Sequence, residues 1–168
     1  TSSRVSARRW VTEARRVRAG EWTGAVLIAD SASSGPSWLP DGSALVYARP
    51  HADSGFREQG DIMRVEVRRD GTGGASLQLT NTTGGRHRDS VPICSPDGTR
   101  VLYSRDTDPR GLYTVSPRGG TPSPLGLGLG WDSTCWMPDG RRILASRISG
   151  DGSGLFAFGF PKTGTPQM

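Results

Sequence analysis

The stretch Trp38-Leu39-Pro40-Asp41-Gly42 occurs in three versions along this chain of 168 residues. It returns as Cys94-Ser95-Pro96-Asp97-Gly98 and again as Trp136-Met137-Pro138-Asp139-Gly140. In Pro-Asp-Gly the proline presets φ, the aspartate bonds back to nearby backbone, and the glycine accepts a positive φ. Each version therefore predicts a tight turn between two β-strands.

The sequence on either side of the turn repeats as well. An apolar run follows each turn, and a glycine then opens a further apolar segment at Gly60, Gly111 and Gly154. The turn aspartates lie 56 and then 42 residues apart, because a polar insertion at about 50–59 lengthens the first unit. A period near 42 residues, with about four short strands per unit, is typical of a β-propeller blade.

The unit closely resembles that of the TolB-like propellers, a WD-repeat-like family whose repeat reads P-x-W-S-P-D-G, an apolar strand, a D-I-Y-like strand and a closing L-T. The first unit matches at 36–42, at Asp61-Ile62 and at Leu79-Thr80. The later units depart from it, most clearly where Cys94 replaces the aromatic residue. The resemblance covers about 22–168 and implies an all-β fold of about three four-stranded propeller blades.

The blades are predicted at about 36–80, 91–125 and 134–168. A further segment, Gly24-Ala25-Val26-Leu27-Ile28, copies the third-strand motif and predicts a strand of a blade whose beginning is absent or contributed by the residues before it. Three blades cannot close a ring, because propellers use about four to eight. The sequence thus predicts a partial propeller, completed either by a longer chain or by self-association.

Residues 1–21 are predicted to form a basic arm or linker. Its first twenty residues hold six arginines against one acid, which accounts for the whole net charge of +5. Apolar residues from Trp10 to Val17 fall at helical spacing and predict a short helix, with a strand pair from a preceding blade as the alternative. The rest of the chain is neutral, which argues against nucleic-acid binding and leaves membrane contact of the arm as a minor alternative.

Groups capable of catalysis or metal binding are sparse in the sequence. The two histidines and two cysteines fit neither a zinc site nor a nucleophile elbow with its triad. The acidic loops at 106–108 and 151–153 supply at most two acids each, too few for calcium, which takes six to eight oxygens. We therefore predict no catalytic residue, no metal and no cofactor in this chain.

Candidate binding residues lie on one rim of the predicted blades. An arginine stands eight residues after each turn aspartate, at Arg49, Arg105 and Arg147. Their shared register predicts a common rim, where guanidinium groups could hold a carboxylate or phosphate. The alternative is that each arginine pairs with an acid of its own blade. The insertion adds three further candidates in a lengthened loop, namely His51, Phe56 and Arg57.

Trp38 and Trp136 occupy the same place in their units and are predicted to pack between blades. Cys94 stands at that place in the second unit, whereas Cys135 stands one residue before it in the third. Because side chains alternate along a strand, the two cysteines are predicted either to form a disulfide across the second and third blades or to be buried free thiols.

The resemblance to TolB-like propellers implies a non-catalytic binding module with a protein partner, in a periplasmic or other extracytoplasmic setting. The alternative is the propeller portion of a larger hydrolase or lyase, of the prolyl-oligopeptidase-like kind, whose catalytic domain is not in this chain. The single lysine, Lys162, among many arginines is typical of a high-GC bacterial genome.

Overall fold

The computed structural model describes residues 12–13, 26–50, 60–82, 88–106, 109–127, 133–147 and 153–160. Every regular secondary-structure element in these ranges is a β-strand, which confirms the predicted all-β class. Among these residues no helix is long and apolar enough to cross a membrane. The strands are β1 (Thr12–Glu13), β2 (Leu27–Ala29), β3 (Ser34–Trp38), β4 (Ala44–Pro50), β5 (Gly60–Val67), β6 (Gly73–Gln78), β7 (Asp89–Cys94), β8 (Val101–Arg105), β9 (Gly111–Val115), β10 (Ser123–Pro124), β11 (Ser133–Trp136), β12 (Arg142–Arg147) and β13 (Gly154–Gly159).

Most consecutive strands pair as antiparallel neighbours, so the chain folds as a series of meanders. The first, called blade 1 below, has the order β3-β4-β5-β6. Blade 2 has the order β7-β8-β9-β10. Blade 3 has the order β11-β12-β13 in the part of the chain that the structure describes. Strand β5 of blade 1 also pairs with β7 of blade 2 through one residue pair, Gly60 with Asp89.

The three Pro-Asp-Gly stretches lie in the turns that join the first and second strands of each blade. In blade 1 the Asp41 Oδ1 accepts hydrogen bonds from the Ser43 backbone N at 2.9 Å and from the Ser43 Oγ at 2.7 Å. The backbone bond is the main cause that lowers the pKa of Asp41. Gly42 has a φ of 69°, in the left-handed region that favours glycine.

The outer strand of blade 1 is fastened by side chains of the D-I and L-T pairs. The Thr80 Oγ1 accepts a 2.9 Å hydrogen bond from the Ile62 backbone N. The buried Asp61 accepts bonds from the Thr82 backbone N at 3.0 Å and the Thr82 Oγ1 at 2.7 Å, and from the Gln78 Nε2 at 2.8 Å. These bonds satisfy a carboxylate that would otherwise be costly to bury.

The core consists of layers between successive sheets. Side chains alternate along each strand, so Val46 faces blade 2 while its neighbour Leu45 faces the opposite side of blade 1. Blades 2 and 3 meet in a third layer built from Leu102, Trp136 and Ile143. This face-to-face stacking of small antiparallel sheets is the packing of propeller blades.

Of the predicted basic arm, only Thr12 and Glu13 are described, and they form strand β1 rather than a helical turn. They pair antiparallel with β2. The rest of 1–21 lies outside the described residues. Strand β2 packs on the side of blade 1 that faces away from blade 2, where Ile28 is buried against Leu45 and Met63.

Strand β2 approaches β6 so closely that one position requires glycine. A Cβ placed on Gly73 would lie 1.9 Å from the Ile28 carbonyl oxygen. Because that oxygen belongs to the backbone, no side-chain rotation relieves the clash. The contact therefore fixes where β2 lies on blade 1.

Candidate functional site

The rim arginine of blade 2 forms a buried ion pair. Arg105 ends β8, and its Nε and Nη2 donate to Asp89 Oδ1 and Oδ2 at 2.8 and 2.9 Å. Asp89, at the start of β7, is fully buried, and the Arg105 side chain is 14% exposed. These hydrogen bonds to Asp89 are the main cause that raises the pKa of Arg105. The bidentate geometry is the strong form of an arginine–carboxylate pair.

Two tyrosines enclose this ion pair. The Arg105 guanidinium carbon lies 4.6 Å from the centroid of the Tyr113 ring and 5.7 Å from that of Tyr103. The two rings stack with centroids 5.8 Å apart. The Tyr113 hydroxyl donates to the Pro109 carbonyl at 2.7 Å, and burial raises the pKa of Tyr103. Arg105 thus takes the alternative predicted from the sequence, pairing with an acid of its own blade.

Of the other predicted binding residues, Arg49 is the one whose side chain the structure describes. Arg49, at the end of β4, is half-buried and lies opposite Asp61 in the strand register. Arg147 lies opposite Gly154, and its side chain is outside the described part of the chain. The insertion residues His51, Phe56 and Arg57 also fall outside it. The anion-binding rim therefore stays a prediction for Arg49 and Arg147.

An open groove lies between blade 1 and blade 2. Its volume is about 570 Å³. Its lining combines the end of β6, the loop before β10 and the rim arginine, and consists of Gln78, Leu79, Thr80, Asn81, Arg105, Gly120, Thr121 and Pro122. Within the described ranges no group of three or more His, Cys, Asp or Glu side chains could hold a metal ion. The polar side chains of the lining are two amides, two hydroxyls and one guanidinium, those of Gln78, Asn81, Thr80, Thr121 and Arg105.

The two repeated tryptophans differ in burial. Trp136 is 8% exposed, and its Nε1 donates a 3.1 Å hydrogen bond to the Ile93 carbonyl of blade 2. Its ring centroid lies 5.2 Å from that of Phe160. Trp38 is 46% exposed, although it occupies the same register position in blade 1. Trp136 thus packs between blades as predicted, whereas Trp38 does not.

The two cysteines are free and point in directions that do not suit the predicted disulfide. Cys94 pairs across the hairpin with Val101, which faces blade 1, and it packs on that side. Cys135 pairs with Leu144 and is exposed, whereas the next residue, Trp136, faces blade 2. Because alternate residues face opposite ways, Cys94 points away from blade 3 and Cys135 points away from blade 2.

No family model matches the chain, and no curated protein matches it. Among solved structures it is similar to a gluconolactonase from Xanthomonas campestris, with a TM-score of 0.56 and 14% identity, over 80% of this chain and 40% of that one. It is also similar to TolB from Acinetobacter baumannii, with a TM-score of 0.56 and 17% identity, over 82% of this chain and 33% of that one.

Both neighbours are β-propellers, so the comparisons show a β-propeller fold for this chain. The chain spans less than half the length of either protein. At these identities the likeness concerns the fold alone. It is consistent with the TolB-like repeat in the sequence, and it identifies neither a ligand nor a partner.

Sequence reasoning missed Asp89 as the partner of Arg105. The acid next to Arg105 in sequence, Asp106, has its Oδ1 3.9 Å from the Nε of Arg110. The repeat gives no signal for Asp89, because the matching place in the first unit is Ser33. Only the antiparallel pairing of β7 with β8, which sets Asp89 opposite Arg105, identifies the pair.

Proposed function

We propose that this chain is a non-catalytic binding module of the TolB-like propeller type. In this proposal the groove between blade 1 and blade 2 binds an extended segment of a protein partner. The chemistry of the groove is the observation that carries it. The lining combines the polar residues Gln78, Asn81 and Thr121 with Leu79 and Pro122, a mixture that suits a peptide backbone with small side chains.

The charge of the groove supports a peptide rather than an anion. The one guanidinium in its lining, that of Arg105, is already bonded through two nitrogens to the buried carboxylate of Asp89. The pair is neutral as a unit, so its attraction for a free phosphate or carboxylate is reduced. An uncharged backbone with its own donors and acceptors is the better complement.

The likeness to TolB agrees with a binding role, although it covers a third of that protein and concerns the fold. The likeness to a gluconolactonase has the same limits and does not extend that enzyme's reaction to this chain. The hydrolase or lyase alternative therefore has no specific observation in its favour among the described residues.

The proposal is tested by selecting linear peptides from a random display library on the immobilised chain and measuring their affinity by calorimetry. Thr121 is an exposed groove residue, and Thr121→Arg fills the groove with a long charged side chain. We expect this variant to weaken binding at least about tenfold, as steric loss of a central contact does. Leu155→Arg, on the far side of blade 3, makes a similar change outside the groove and should bind as the unmodified chain does.

Two results would count against the groove. One is that no peptide binds saturably to the folded chain. The other is that the selected peptides bind the Thr121→Arg variant as tightly as the Leu155→Arg control.

A further inference from the structure

In blades 2 and 3 the residue at the tryptophan position faces the preceding blade, and Trp38 has the same orientation in blade 1. Trp38, Cys94 and Trp136 stand opposite Leu45, Val101 and Ile143 across the first hairpin of their blades. Directly opposed residues share a face of the sheet. Val101 lies in the layer shared with blade 1, and Ile143 lies in the layer shared with blade 2.

Where a preceding blade is described, its first strand covers this position. The Cys94 backbone N donates to the Ser37 Oγ of β3 at 3.1 Å. The Trp136 Nε1 donates to the Ile93 carbonyl of β7 at 3.1 Å. In both pairs the covering residue comes directly before the tryptophan position of its own blade. In both described cases, therefore, the first strand of the preceding blade covers the residue at the tryptophan position.

The corresponding face of blade 1 is covered over β4, β5 and β6 but not over β3. Strand β2 packs there, and Leu45 and Tyr47 of β4 are buried together with Met63 of β5. At the inner strand β3, Trp38 remains 46% exposed. Ile93 accepts a hydrogen bond from the Trp136 indole and covers it. In the part of the chain that the structure describes, no residue does the same for Trp38.

We propose that the face around Trp38 is the docking site of a two-stranded β-hairpin of the Pro-Asp-Gly type. The first strand of this hairpin lies beside β3, offers a backbone carbonyl to the Trp38 Nε1 and places apolar side chains on the indole ring. The site continues the interface that β2 already makes with blade 1. It is distinct from the groove between blades 1 and 2, so the inference does not rest on the proposed function.

A hairpin fits this face better than a complete blade of a second copy does. A complete four-stranded blade has to occupy the outer part of the face as well, where β2 already packs with its Ile28 carbonyl against Gly73. On this face Leu45 and Tyr47 of β4 are buried, whereas Trp38 of the inner strand β3 is exposed, so the open part is the edge at β3. Closure of the ring by a second copy, which the sequence suggests, would therefore require β2 to leave.

The probe for this site is a synthetic peptide of residues 88–106, the hairpin whose Ile93 carbonyl covers Trp136. Its ends lie together, since the Asp106 backbone N donates to the Arg88 carbonyl at 3.0 Å, so the peptide can be cyclised. Cyclisation matters because an isolated hairpin is only marginally stable. Carrying Cys94→Ser, the peptide is added to the full chain, and binding is followed by calorimetry and by exchange of the Trp38 indole N–H.

We expect saturable binding that slows exchange of the Trp38 indole N–H at least about tenfold. Trp38→Ala should weaken binding about tenfold or more, since buried tryptophans dominate such contacts. Trp38→Phe keeps the ring without the donor and should lose part of the affinity, which also keeps the test informative if Trp38→Ala folds poorly. Phe156→Ala, which removes another partly exposed aromatic ring, on β13, is the matched control and should bind normally.

The proposal is overturned if the cyclic hairpin leaves Trp38 exchange unchanged at millimolar concentration. It is equally overturned if both Trp38 variants bind as tightly as the Phe156→Ala control. A third contrary result is a slow Trp38 N–H in the chain alone that becomes fast on dilution to monomer, because the occupant would then be a second copy.

Discussion

At the scale of single residues, the pair of Asp89 and Arg105 is the most consequential interaction described. A carboxylate at full burial is tolerated because two guanidinium nitrogens bond to it and two tyrosine rings enclose the cation. The pair fastens the start of β7 to the end of β8. Removing one partner leaves the other charge buried and uncompensated, which is the costly way to break such a pair.

We therefore expect Arg105→Met to lower the free energy of unfolding by about 3–5 kcal/mol. The matched control is Arg142→Met, because the Arg142–Asp139 pair is exposed. Its loss should cost no more than about 1 kcal/mol. Urea denaturation of the two variants decides the matter, and equal destabilisation would show that the Asp89–Arg105 pair is not buried as described.

The cysteines give a second prediction at this scale. Burial raises the pKa of the Cys94 thiol to about 11, whereas Cys135 is exposed. Since the thiolate is the reactive species, a disulfide reagent at pH 8 should label Cys135 rapidly and Cys94 slowly. Unfolding without reductant should then give two labels. Fewer than two labels would mean that the bridge forms after all.

The sign of the associated pH dependence follows from the raised pKa. Below the ordinary thiol pKa of 9.0 the Cys94 thiol is neutral in both the folded and unfolded chain, and its contribution to stability is fully present. Between that value and about 11 the unfolded chain ionises first, so this contribution falls as pH rises. The Cys94→Ala variant should therefore lose less of its unfolding free energy between these two pH values than the unmodified chain does.

At the scale of elements, the repeats explain much of what could be predicted. The Pro-Asp-Gly stretches lie in the hairpin turns, and the D-I and L-T pairs fasten the outer strand of blade 1. These features are local or depend on one neighbouring strand, so their residue types identify them. The position of β2 was not predictable, because its packing on β5 and β6 depends on contacts between distant segments with no fixed spacing.

Gly73→Ala tests that position. A Cβ 1.9 Å from the Ile28 carbonyl oxygen forces β2 and β6 apart, and we expect a loss of about 1–3 kcal/mol in stability together with faster exchange of the β2 amides. Gly35→Ala is the control, because a Cβ there meets nothing within 4 Å. If the two variants unfold at the same temperature, β2 does not pack against β6.

At the scale of the whole molecule, the fold is a series of small sheets whose interfaces repeat the same contact. The sequence predicts that tryptophan-position residues pack between blades, but it does not say on which side. That direction decides the outcome for four residues. It buries Trp136, leaves Trp38 open, and turns Cys94 and Cys135 away from each other. Alternation along a strand is readable from sequence, whereas the neighbour that each face meets depends on the assembled blades.

The most direct test of this face-to-face packing is the exchange rate of the indole N–H groups, measured by NMR and assigned with Trp136→Phe and Trp38→Phe. The Trp136 N–H is bonded to the Ile93 carbonyl of the adjacent blade at 3.1 Å, and Trp38 is 46% exposed. We predict that the Trp136 N–H exchanges about a hundredfold or more slowly than that of Trp38 and shows a nuclear Overhauser effect to Ile93. Equal exchange rates, with no contact between Trp136 and Ile93, would contradict the stacking of blade 3 on blade 2.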